Sequence, residues 1–190
     1  MLSCSASLGL LVLLGGVLAC ASPVRDKFVS DDLKKSHELI ANKLGLTQLE
    51  VNKDPLFDFV IRTLNTSCQG KDDIRLMNAT LSVYMRLFSK VLPHHNHDSH
   101  HDRTQTAGLL DSVKEPERAT VLLDLKKLKK KMEELKNRLT CQNQNTEAAL
   151  TQLEQFKMDD LMEQKKALAQ FLQIYQAAST VAAAHAAPAQ

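Results

Sequence analysis

The stretch DDIRLMNATLSVYMRLFSKVL, residues 72–92, decides the fold. Ile74, Met77, Leu81, Tyr84, Phe88 and Val91 recur at alternating steps of three and four, which lays one apolar stripe along an α-helix. From Leu81 onward Val83, Met85 and Leu87 add apolar groups on other faces, so this half should be enclosed by neighbours. It is therefore expected to be the central helix. Pro93 ends it, because proline lacks the amide a continuing helix needs.

Helical patterns extend in both directions from this stretch. Upstream, Ser30 is a good N-cap, Asp31 and Asp32 complement the helix dipole, and Leu33, His37, Ile40 and Leu44 form a stripe that stops at Gly45. A loop with Thr47, Asn52 and Lys53 leads to Asp54-Pro55, which reads as an N-cap followed by proline at the first helical position. The short apolar run Leu56, Phe57, Phe59, Val60 and Leu64 follows, closed by Gly70.

Downstream, a polar stretch carries His94, His95, His97, His100 and His101 to Gly108. A helix from near Glu115 to Leu139 presents Leu122, Leu125, Leu128, Met132, Leu135 and Leu139 at heptad-like spacing. An Asn- and Gln-rich hinge from Cys141 to Asn145 precedes a short helix with Leu150, Leu153 and Phe156. The last helix runs from about Asp160 to Ala178, with Leu161, Leu168, Phe171, Leu172 and Tyr175 on its stripe. No alternating strand segment and no repeat occurs, so the expected class is all-α with six helices.

The beginning of the chain bears on location. Residues 1–21 carry no charged side chain, contain the apolar run Leu8 to Leu18 and end in Ala19-Cys20-Ala21, the pattern of a cleaved secretory signal peptide. The apolar core is about half of the roughly twenty residues a membrane span needs. A secreted, extracellular product without membrane insertion is expected, with a helical domain over 22–181 and a disordered Ala-rich tail over 182–190. The balance of 24 basic and 22 acidic residues is too even to imply a nucleic-acid partner. Cys4 and Cys20 leave with the signal, and an oxidising compartment favours pairing of Cys68 with Cys141. Such a bridge would contribute about 4 kcal/mol by loop closure; a link between two chains, or two free thiols, are the alternatives.

Family character enters with Gln164-Lys165-Lys166-Ala167-Leu168-Ala169-Gln170-Phe171-Leu172-Gln173-Ile174, which resembles the interferon-gamma signature. Gln164, Lys166, Ala167, Phe171 and Ile174 fit it; Glu163 stands where the family has Ile or Val, and Gln170 where it has Glu. Asp72 to Met77 and Leu81 to Phe88 resemble the family's long central helix, and the order of helices is similar. The resemblance implies a six-helix cytokine bundle, an intertwined homodimer whose C-terminal helices pack against the partner, and binding to interferon-gamma receptor chains. It also implies Janus kinase and STAT signalling in antiviral and macrophage responses. Docking would fall to the loop after the first helix, where Gly45, Thr47, Glu50, Asn52 and Lys53 correspond. No lysine or arginine follows Lys166, so the basic tail common in the family is missing. The apolar stripes alone are equally satisfied by a monomeric four-helix bundle. An interleukin-10 or interleukin-22 type cytokine and a non-signalling secreted helical carrier are the alternative functions.

Several other features carry paired readings. Five imidazoles lie within residues 94–101, but with no helix to set their geometry they read as a polar loop, and no metal or other cofactor is expected. Lys126, Lys127, Lys129, Lys130 and Lys131 read as a solvated helix face, or as a surface for heparan sulfate. Asn65-Thr66-Ser67 and Asn78-Ala79-Thr80 are sequons for N-glycosylation. No phosphate loop, nucleophile motif or helical metal pair appears, so no catalytic residue is expected and the chain does not read as an enzyme.

Overall fold

The computed structural model describes residues 28–66, 71–92, 108–139 and 147–186. Among these residues are eight α-helices and no strand: α1 (Asp31–Leu44), α2 (Leu49–Asn52), α3 (Asp58–Thr66), α4 (Lys71–Val91), α5 (Glu117–Arg138), α6 (Glu147–Glu154), α7 (Leu161–Ala169) and α8 (Phe171–Ala186). A 3₁₀ turn at Leu109–Ser112 precedes α5. Six helices become eight because the loop after α1 contains the single turn α2, and because the last helix divides at Gln170.

α4 lies at the centre, packed by α3, α5, α6 and α8. Met77, Leu81, Tyr84, Leu87 and Phe88 are fully buried, Val83 is buried and Met85 is half-buried, so the enclosed second half has a physical basis in packing from several sides. All of this cover comes from the same chain. α1 runs antiparallel along α5, because Lys43 pairs with Glu117 and Asp32 with Lys127. Ile74 shares a groove with Leu135 and Leu139, and Val91 shares another with Leu122, so α4 and α5 are also antiparallel.

An aromatic nucleus ties the C-terminal helices to this frame. The Phe171 ring meets Tyr84 and Phe88 edge-on at centroid distances of 6.0 and 6.2 Å, and Phe57 meets Tyr84 at 5.2 Å. The Tyr84 hydroxyl donates 2.7 Å to the carbonyl of Ala167, and burial raises its pKa well above the ordinary phenol value. It therefore acts as a neutral donor.

The helix ends separate local from tertiary causes. Ser30 caps α1 by accepting from the Leu33 amide at 3.2 Å, and Gly45 ends it in the left-handed conformation at φ 66°. Asp54-Pro55 does not start α3. Asp54 sits at φ 55°, and the helix begins at Asp58. The Phe57 amide instead donates 2.9 Å to the Gln170 side-chain oxygen across the core. Gln170 also carries the bend between α7 and α8, with its own amide bonded to Lys166 O. Leu161, expected on the apolar stripe, lies on the exposed first turn of α7, while Ala167, Ile174, Ala178 and Val181 share the buried face with Leu168 and Phe171. α8 runs to Ala186, so Ala182 to Ala186 are helical where a disordered tail is expected. Alanine's helix propensity and the buried Val181 one residue earlier account for the extension.

Candidate functional site

The segment from Gly45 to Asp54 is a braced turn. Leu46 and Val51 are buried and pin it to the body, and α2 packs on α7. Asn52 donates from its side-chain nitrogen to Leu46 O and to Gln48 O, each at 3.0 Å. Lys166 reaches from α7 to Asp54 O at 3.3 Å. These contacts satisfy backbone carbonyls that a loop would otherwise leave to water.

The five residues assigned to docking divide by role. Gly45 permits the left-handed turn, and Asn52 closes it from within. Thr47, Glu50 and Lys53 are exposed. Leu49, which the sequence reading did not single out, is 80% exposed on the same turn. Leu49 and Val51 are both apolar and two apart, so sequence alone does not decide which one faces inward.

The residues that carry the family resemblance lie in the seam behind this turn. Gln164 is buried and donates 2.7 Å to Met158 O. Ala167, Phe171 and Ile174 are fully buried, and Lys166 holds the turn as described. His37 joins the seam from α1, donating from Nε2 to Leu168 O at 2.8 Å and stacking on Phe171 at 6.0 Å. Desolvation lowers its pKa, against the opposing effect of the carbonyl contact.

The lysine run does not form one continuous cationic face. Lys127 pairs with Asp32 on α1, and Lys131 pairs with Glu134 at 3.0 Å. The Glu134 bond raises the Lys131 pKa. Lys126 and Lys130 are exposed one turn apart, while Lys129 is half-buried on the flank.

The sequons differ in setting. Asn65 lies in the last turn of α3. Asn78 lies in α4, half-buried, with its side-chain oxygen inaccessible and without a hydrogen-bond partner. Thr80 is fully buried and donates to Leu76 O at 2.8 Å.

Cys68, Cys141, the His94 to His101 stretch and the segment 1–21 lie outside the described residues. Among the described residues, no group of three or more His, Cys, Asp or Glu side chains comes together as a metal site. No helix there is long and apolar enough to cross a membrane. Compared with known proteins, the chain matches no family model, no curated protein and no solved structure.

Proposed function

We propose that this chain is a secreted type II interferon-like cytokine that binds interferon-gamma receptor chains and activates Janus kinase and STAT signalling. The observation that carries the reading is the convergence of the resembling residues. Gln164, Ala167, Phe171 and Ile174 share the buried seam of α7 and α8, while Lys166 fastens the exposed turn at Asp54. Residues that resemble a receptor-binding family thus stand directly behind the segment assigned to docking. The primary receptor chain docks on the turn Gly45 to Asp54, where Thr47, Glu50 and Lys53 are exposed.

The active species is a homodimer. Since one chain already covers its own α4, the dimer forms by exchanging α6, α7 and α8 between two chains. Any sulfated-glycan contact falls to Lys126, Lys129 and Lys130, for Lys127 and Lys131 are engaged in ion pairs.

Capture of the purified chain from Ser22 onward on interferon-gamma receptor ectodomains, with STAT phosphorylation in receptor-bearing cells, tests the reading. Saturable binding and phosphorylation are expected. A folded protein that binds none of these ectodomains would overturn it.

A further inference from the structure

Leu49 is the most exposed large apolar side chain among the described residues, and it stands on the braced turn between Gly45 and Asp54. Lone surface leucines are ordinary, and Leu123 on α5 is another, 68% exposed. At Leu49 the chain has little freedom to fold the side chain inward. Leu46 and Val51 anchor the turn on either side of Leu49, the Lys53 amide donates 2.9 Å to Leu49 O, and Asn52 closes two further carbonyls. A rigid apolar projection loses little conformational freedom on binding, which makes it a preorganised contact.

The surrounding charges identify the kind of partner. Glu50 is adjacent in sequence and Lys53 follows at the end of the single helical turn; both are exposed, and neither forms an ion pair among the described residues. A membrane surface would gain little from one leucine, and Glu50 would oppose anionic lipid. A polyanion would meet that same carboxylate. An apolar pocket on a folded protein, edged by an acid for Lys53 and a base for Glu50, complements all three groups.

We infer that Leu49 is the anchor of the receptor contact, seated in an apolar pocket of the primary receptor chain, with Glu50 and Lys53 as its charged rim. The inference rests on the receptor-binding reading proposed above and adds the residue that dominates it. Charged groups at a solvated rim influence association rate and specificity more than residence time, so Leu49 rather than the rim should set the dissociation rate.

Binding of the intact chain to the receptor ectodomain should be compared for wild type, Leu49→Ala, Leu49→Met, Leu49→Lys and the double variant Glu50→Ala/Lys53→Ala. Because Leu49 is exposed, thermal melting of each variant should stay near wild type. Leu49→Ala is expected to weaken binding by about 10- to 100-fold, chiefly through faster dissociation, the range for losing most of one buried leucine. Leu49→Met should retain binding within about 3-fold, Leu49→Lys should abolish it, and the double rim variant should lose less than Leu49→Ala. Unaltered binding by Leu49→Ala, with wild type binding normally, overturns the anchor and leaves the receptor reading intact. Failure of wild type to bind overturns the receptor reading, and the anchor with it.

Discussion

His37 shows how one side chain couples the fold to pH. Its neutral ring donates to Leu168 O within a seam that favours the uncharged form, so its folded pKa lies below the ordinary value. Above about pH 6.5 both folded and unfolded chains hold it neutral, and it has no effect on stability. Below that, the unfolded chain takes up the proton first, so stability falls as pH falls until the folded chain is protonated too. Thermal melts between pH 7.5 and 5 should show this loss, and His37→Gln, whose amide can still donate to Leu168 O, should lessen it. An equal loss in the variant would place the acid sensitivity elsewhere. Asn78 carries a second expectation at this scale. A glycan on a half-buried residue of the central helix would force α4 away from its cover, and the Thr80 hydroxyl of the same sequon is occupied with Leu76 O. In secreted protein, Asn65→Gln should remove a glycan and increase gel mobility, whereas Asn78→Gln should leave mobility unchanged. A mobility shift from Asn78→Gln would show that α4 admits the sugar.

Among the elements, those governed by local chemistry were legible and those governed by distant contacts were not. α1 shows both its signals: Ser30 supplies the cap oxygen, and Gly45 takes the left-handed φ that other residues adopt at a cost. Gly45→Ala should therefore lower stability by roughly 1–2 kcal/mol. The added methyl would also approach the Gln48 side chain to 2.9 Å, although that flexible end can move. Gly45→Asn should cost less, since Asn tolerates this conformation better; denaturant unfolding of both variants measures the order, and equal losses would assign the effect to crowding rather than φ. The division at Gln170 has no such local cue. It coincides with a hydrogen bond from the Phe57 amide, 113 residues away in sequence, and the same contact helps explain why α3 begins later than Asp54-Pro55 implies. The turn proposed for docking behaves likewise. Its position follows from the stop at Gly45 and from family resemblance, but the outward direction of Leu49 depends on how Val51 and α7 pack, which no window of neighbouring residues contains.

For the whole molecule, the central question is how a core already closed within one chain accommodates the proposed homodimer. The arm from α6 to α8 supplies Leu153, Ala167, Leu168, Phe171 and Ile174 to the core, against α1, α3, α4 and α5. A second chain can provide the same arm and the same contacts, so closed monomer and exchanged dimer differ mainly in which chain supplies the arm and in concentration. Such a dimer cannot separate without withdrawing Phe171 from Tyr84 and Phe88, which amounts to unfolding the core. Dissociation should then be as slow as global unfolding, which for small domains extends to hours or days. Light scattering at micromolar concentration should give twice the chain mass. Tagged and untagged dimers mixed at neutral pH should form almost no mixed species over several hours, yet give a statistical mixture after joint refolding from denaturant. Mixing within minutes would indicate a surface-to-surface dimer, and a chain-mass particle would leave the closed monomer as the acting form.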